Sequence, residues 1–171
     1  MADAANTLYY DLLARLSAID EAISLTDYGL TMRSVPYYYA PMNKGPFPIS
    51  LHRISGIQTD SAYYGPDFWR EVVTISKLVV AGPVGAGYTG VNEGLAYKLI
   101  RPVLNTYYAR PRLPDPTTGA AFNFLVPGEN VRISAPSGVS VVGFDPGSEE
   151  RFFAVEFVLE CSFKIKQGRV S

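Results

Sequence analysis

The sequence predicts an α+β fold: a mostly antiparallel or mixed β-sheet covered by two main helices, with a long C-terminal strand. Three observations predict it. Residues 151–166 alternate apolar and polar side chains, residues 68–81 are rich in β-branched side chains, and two other segments repeat apolar residues every three or four positions. A chain of 171 residues is long enough for one core, so we expect a single domain spanning residues 1–171.

The clearest signal is the stretch RFFAVEFVLECSFKIK at residues 151–166. Its odd positions from Phe153 onward are apolar, and its even positions include Glu156, Glu160, Lys164 and Lys166. Successive side chains of a strand point to opposite faces, so one face is predicted to pack and the other to be polar. We expect the polar face to be a subunit contact or a solvated wall. Because the stretch exceeds a usual strand length, its ends are predicted to project past its neighbours.

Two amphipathic helices are predicted at residues 4–25 and 91–109. The first carries an apolar stripe, and we interpret it as packing on the sheet rather than docking a partner; its members are Leu8, Leu12, Leu16, Ile19 and Ile23. The second has a similar stripe interrupted by Pro102, which is expected to kink or restart the helix.

The remaining strands are predicted from short apolar or β-branched runs. Residues 49–57 form one strand, and 68–81 form a long strand with two apolar faces, which places it inside the sheet. Shorter strands are expected at residues 122–126, 131–134 and 139–144. The last of these joins the C-terminal strand through an acidic turn, as in an antiparallel hairpin.

Tyrosine is abundant, with 12 Tyr against one Trp, and suits surfaces that are apolar on one side and wet on the other. Residues 27–48 hold Tyr37, Tyr38 and Tyr39 among several prolines. This segment is either a loop covering the sheet edge or an arm that reaches another subunit. Tyr63, Tyr64 and Tyr88, in turn and loop regions, are further candidates for subunit or partner contacts.

Catalytic chemistry is not indicated, and we expect neither an enzyme nor a cofactor or metal. His52 is the only histidine, and Cys161, the only cysteine, lies on the apolar face of the last strand, which favours a buried thiol. The Gly-rich loop at residues 82–90 contains GxGxxG, the nominal dinucleotide motif, but no parallel βαβ series accompanies it. A connector is favoured; the alternative is a small-ligand or nucleotide-binding enzyme that uses this loop.

Charge and hydropathy argue against a nucleic-acid-binding protein and against a membrane-spanning protein. The net charge is −1, with 15 basic and 16 acidic residues, which does not favour an electrostatic nucleic-acid binder. No apolar run approaches the ~20 residues of a membrane span, and the N-terminus lacks the pattern of a signal peptide. We therefore expect a protein made in the cytoplasm, with no membrane partner.

Three stretches together resemble the tail terminator proteins of long-tailed bacteriophages. They are the opening helix LYYDLLARLSAIDEAI, the unit from WREVVTISKLVVAG to GLAYKLIRPVLNTYYARPRL, and the closing VSVVGFDPGSEERFFAVEFVLECSFKI. The resemblance implies a homohexameric ring in the neck of the virion. Such a ring caps the completed tail tube, stops its polymerisation and offers a surface for joining the head. The implied partners are further copies of the chain, the tail tube protein and a head-closure or connector protein, with DNA only passing through the lumen. Another neck component, a head-closure or tail-completion protein, is the alternative.

Overall fold

The computed structural model describes residues 4–35, 46–60, 67–85 and 89–166. Within these residues, two α-helices, a short 3-10 helix at Thr26–Tyr28 and eight strands are present: α1 Ala4–Glu21, β1 Ser24–Leu25, β2 Leu30–Thr31, β3 Arg33–Val35, β4 Ile49–Asp60, β5 Phe68–Pro83, α2 Thr89–Tyr108, β6 Arg132–Ser134, β7 Val139–Val142 and β8 Phe152–Lys166. The predicted α+β class is confirmed, with a mixed, mostly antiparallel sheet and a long C-terminal strand.

The main sheet has the strand order β3-β4-β5-β8, and β6 and β7 both pair with the far edge of β8. Only β3 runs parallel to its neighbour; the pairs β4–β5, β5–β8, β6–β8 and β7–β8 are antiparallel. The predicted hairpin between β7 and β8 is therefore confirmed. The small strands β1 and β2 form a separate two-stranded ribbon.

The last strand does not project beyond the sheet, so the predicted overhang is wrong. β8 pairs with β5 along its whole length, from Phe152 opposite Pro83 to Lys166 opposite Phe68. On its other edge, β6 and β7 follow one another, and the amide of Val126 donates to the Ser162 carbonyl. A partner of equal length, β5, satisfies the main-chain groups that an overhang would have left open.

Both helices lie on one face of the sheet. Residues of α1 and α2 share one buried core with alternate residues of β5 and β8. The strand side of this core consists mainly of Val73, Ile75, Val79, Val155, Phe157, Leu159, Cys161 and Phe163. The predicted apolar stripe of α1 points into it, as expected for a helix packed on a sheet.

The opposite face of the sheet is apolar only at one end. There Ile49, Leu51, Leu78 and Phe152 form a second buried cluster. Aromatic side chains from loops cover it, because the rings of Phe47 and Phe144 lie 5.8 and 5.7 Å from the ring of Phe152. This second cluster explains why β5 reads as apolar on both faces, as the sequence predicted.

Some predicted boundaries are wrong. The helix at residues 4–25 ends at Glu21, because Ser24 and Leu25 pair with β2. Residues 122–126 do not form a strand. Their backbone is instead held by single contacts: Leu125 makes one isolated bridge to Phe163, and the Arg112 guanidinium donates to the carbonyls of Val126 and Glu129.

The second helix runs from Thr89 to Tyr108 as one element that includes Pro102, so the predicted restart does not occur. Its start is tied to the end of β5, where the Asn92 amide donates to the Pro83 carbonyl at 2.7 Å. A Cβ at Gly82 would lie 2.7 Å from Asn92 Cγ, so a larger residue there would displace the Asn92 side chain from this hydrogen bond. Within the described ranges, neither helix is apolar enough over a sufficient length to cross a bilayer.

Candidate functional site

A cluster of polar side chains lies inside the core between the helices and the sheet, and we name it the buried polar cluster. Its five members are Asp20 on α1, Ser50 and His52 on β4, Lys77 on β5 and Tyr107 on α2. The alternation of β5 places Lys77 on the same face as Ile75 and Val79, and β4 places His52 directly opposite Lys77. Each side chain is at most 2% exposed.

Hydrogen bonds surround the ion pair, although the buried Nδ1 of His52 has no hydrogen-bond partner among the described residues. The Lys77 ammonium donates to Asp20 Oδ2 and to Ser50 Oγ at 3.0 Å, and it lies 2.7 Å from His52 Nε2. Asp20 Oδ2 also accepts from the Ser50 hydroxyl, and Asp20 Oδ1 accepts from the Tyr107 hydroxyl at 2.8 Å. The ammonium also lies 5.1 Å from the centre of the Tyr107 ring.

Burial and charge set the protonation of the cluster. Burial by itself would raise the pKa of Asp20, but Lys77 and the hydrogen bonds hold that pKa well below its ordinary value. Burial lowers the pKa of Lys77, whereas the charge of Asp20 and its hydrogen bond with the ammonium oppose the change. Burial and the Lys77 charge lower the pKa of His52, so the imidazole is neutral at pH 7. His52 Nε2 also lies 2.9 Å from Asp20 Oδ2, so the tautomer decides whether this nitrogen accepts from Lys77 or donates to Asp20.

This cluster is a structural element rather than an open reaction site. A catalytic group must reach its substrate, and these five side chains lie in the core with almost no exposed surface. A buried ion pair is costly to form, but removing one partner costs several kcal/mol because the other charge is left uncompensated. The cluster therefore specifies how α1 and α2 sit on the sheet.

Cys161 is fully buried on β8 among the apolar side chains of the main core. Burial raises the pKa of its thiol to about 12. A thiol needs to be ionised and accessible to react, so the position and protonation of Cys161 fit the predicted small hydrophobic residue. Among the described residues, no three His, Cys, Asp or Glu side chains converge into a metal site.

The four charged residues predicted on the last strand share the face that points away from the helices. Glu156, Glu160, Lys164 and Lys166 are all exposed, which confirms the polar face. They form a row rather than one site, since ten residues of strand separate the first from the last, about 33 Å at ~3.3 Å per residue. Glu156 accepts a 2.6 Å hydrogen bond from Ser76, and the Lys164 ammonium lies 4.6 Å from the centre of the Phe68 ring.

The predicted tyrosine contacts cannot be placed. Tyr37, Tyr38, Tyr39, Tyr63, Tyr64 and Tyr88 all lie outside the described residues. The Gly-rich loop is described only at its ends, where β5 finishes at Pro83 and α2 begins at Thr89. Since β5 is antiparallel to both of its neighbours, the parallel strand that a dinucleotide motif requires is not present there.

Sequence reasoning missed the buried polar cluster. It singled out neither Asp20 nor Lys77. A signal was present in both cases. Asp20 lies four residues after Leu16 and three before Ile23, so it falls on the apolar face of the helix. Lys77 stands between Ile75 and Val79, at a position where the alternation of the strand predicts a buried apolar side chain. One acidic and one basic residue, each on an otherwise apolar face, are the pattern expected of a buried ion pair.

Comparison with known proteins gives no further identification. No protein-family description matches the chain, and no curated protein matches it.

Proposed function

We propose that this chain is a structural virion protein that resembles phage tail terminators and assembles into a ring, expected to be a homohexamer. The ring would cap the completed tail tube, stop its polymerisation and present a surface to the head. The observation that carries the proposal is the order of elements. The three resembling stretches correspond to α1, to the β5–α2 unit and to the β7–β8 hairpin, and they build one sheet with both helices on the same face.

Binding rather than catalysis suits the chemistry of the described residues. The only histidine and the only cysteine are enclosed in the core. By contrast, the sheet face opposite the helices exposes the charged row of β8 beside the exposed Arg132 of β6 and Val158, which is 41% exposed. A long, rigid surface of mixed charge supports docking to protein partners, because charge pairs across such a surface fix orientation.

Ring formation and tube capping can be tested separately. Mass photometry and negative-stain electron microscopy of the purified chain should show a closed ring of one size. For capping, preformed tubes of the cognate tail tube protein would be incubated with the chain, washed and offered fresh tube subunits. We expect uncapped tubes to lengthen and treated tubes to keep their length, with density for a ring at one end.

The same assay distinguishes a tail terminator from a head-closure or tail-completion protein. A head-closure or tail-completion protein would bind a head connector or another neck component and leave tube extension unchanged. Treated tubes that lengthen at the control rate would therefore reject the terminator function. A chain that stays monomeric both alone and with tubes would reject the ring. The control is heat-denatured chain at the same concentration, which should not change tube length.

A further inference from the structure

An open groove of about 390 Å³ lies beside α1, facing away from the buried polar cluster. It runs between the helix and the chain that follows α2. One wall carries the small side chains of Ala14 and Ala18, and the other carries the aromatic side chains of Phe122 and Phe124. Two carboxylates, those of Asp11 and Asp115, also line the groove. Phe124 is 44% exposed, so the groove offers apolar surface to solvent.

The groove is acidic despite the presence of Arg15. The Arg15 guanidinium donates to the carbonyls of Leu113 and Ala120 at 2.8 and 2.9 Å, and it lies 3.8 Å from Asp115. These contacts turn Arg15 toward the chain that forms the wall. Asp11 has no such cation in the described ion pairs, and Glu21 adds a further exposed carboxylate on α1. Among the residues that line the groove, the two carboxylates of Asp11 and Asp115 therefore outnumber the single guanidinium of Arg15.

The outer face of α2 has the opposite character. Tyr97 and Tyr108 are 55% and 62% exposed, and Lys98 and Arg101 are exposed between them. Residues 94–114 contain no acidic side chain. Arg101 makes no ion pair with any residue in the described part of the chain. Tyrosine and arginine are the side chains most enriched at the energetic centres of protein interfaces.

The two surfaces are complementary, but they cannot meet within one molecule. The inner face of α2 packs on β5 and β8, and Tyr107 is bonded to Asp20, so α2 is held with its outer face away from the core. A second copy of the chain can bring its α2 to the groove. Contact between two different patches is the head-to-tail arrangement that closes into a ring.

We propose that the outer face of α2 of one copy docks into the α1 groove of the next copy. An exposed tyrosine, Tyr97 or Tyr108, fills the apolar groove, and Lys98 and Arg101 face the carboxylates of Asp11 and Asp115. This contact rests on the ring proposed above and identifies two of its surfaces. It also accounts for exposed tyrosines on a helix whose other face is fully used by the core.

The test uses two variants of the full chain, each of which has lost one of the two contact surfaces. Tyr97→Ala/Arg101→Glu damages the α2 face and leaves the groove intact, whereas Asp11→Arg damages the groove and leaves α2 intact. Charge reversal at such a contact should weaken self-association roughly tenfold or more. By native mass spectrometry, each variant alone should be monomeric. A 1:1 mixture should form heterodimers through the remaining intact pair of surfaces and nothing larger.

Several outcomes would overturn the contact. If wild-type chain forms rings and either variant does so equally well, the α2–groove contact is wrong while the ring stands. If both variants are monomeric and their mixture is too, the contact is not head-to-tail between these surfaces. A wild-type chain that never assembles removes the ring and the contact together. Ala14→Trp, which fills the groove, replaces Asp11→Arg if that variant misfolds by circular dichroism. Glu149→Arg, an exposed charge reversal elsewhere, is the matched control and should assemble normally.

Discussion

The Tyr107 hydroxyl on α2 donates a 2.8 Å hydrogen bond to Asp20 Oδ1 on α1. Through this bond the two helices meet at one carboxylate, and the same carboxylate pairs with Lys77 on β5. Three elements that lie far apart in sequence are therefore joined at a single buried charge. Because buried polar groups are costly when unpartnered, alternative packings of the helices on the sheet are disfavoured.

Tyr107→Phe should destabilise the fold by about 1–3 kcal/mol, since Asp20 loses a donor that water cannot replace in the core. The measurement is the free energy of unfolding from urea denaturation followed by circular dichroism. Tyr108→Phe is the matched control, because the neighbouring ring is 62% exposed and its change should stay within about 0.5 kcal/mol. Equal effects at the two positions would contradict a specific role for the Tyr107 hydroxyl.

Lys77→Met should cost about 3–5 kcal/mol, because it leaves the Asp20 carboxylate buried without its counter-charge. The double variant Asp20→Leu/Lys77→Met removes both charges and should recover a substantial part of this loss. The two single variants and the double variant form a cycle that can be measured by guanidinium denaturation. Glu149→Met, at an exposed charged residue, should have little effect. A fully stable Lys77→Met variant would mean that Asp20 and Lys77 do not form a buried ion pair.

Acidification from pH 7 to pH 5 should lower stability through His52. Burial and Lys77 lower the pKa of His52 in the folded chain, whereas an exposed histidine titrates near pH 6.5. The unfolded state therefore binds a proton first, and the free energy of unfolding falls by up to about 1.4 kcal/mol per pH unit. Asp20 has a lowered pKa and contributes its own loss only near and below pH ~4, where the unfolded carboxyl protonates.

The single histidine makes the His52 prediction directly observable. Its ring proton resonances in the folded chain should titrate with a midpoint below the pH ~6.5 of an exposed histidine, and the slope of stability against pH should flatten in His52→Gln. A native imidazole that titrates near pH 6.5 would show that His52 is not held neutral by burial. Tyr107→Phe serves as a comparison variant because it weakens the cluster but keeps the histidine.

Cys161 should be inert toward thiol reagents in the folded protein. Burial raises its pKa to about 12 and removes it from solvent, so reaction requires opening of the core. Incubation with iodoacetamide at pH 8 followed by mass spectrometry should show almost no native modification and complete modification in guanidinium. Rapid labelling of the native protein would show that the thiol is accessible and could act as a nucleophile.

The local patterns in the sequence were sufficient for the types of the long elements, namely the two helices and the strands β4, β5 and β8. Apolar alternation in β8 and the repeats of α1 and α2 depend only on neighbours within a few residues, so they predicted the elements and their buried faces. The ends of helices and strands were less well predicted where pairing with a distant segment of the chain determines them. Ser24 and Leu25 follow the helical pattern, for example, but pair with β2.

The buried polar cluster and the extent of β8 required the tertiary structure. Asp20 and Lys77 lie 57 positions apart, and no local period shows that each supplies the counter-charge of the other. The length of β8 suggested an overhang, yet β5 matches it residue by residue. The groove beside α1 likewise arises only when the chain after α2 folds back against the helix. The sequence alone determined which faces are apolar, because periodicity is local. The tertiary structure decided which charges, strands and surfaces meet, because those contacts join distant parts of the chain.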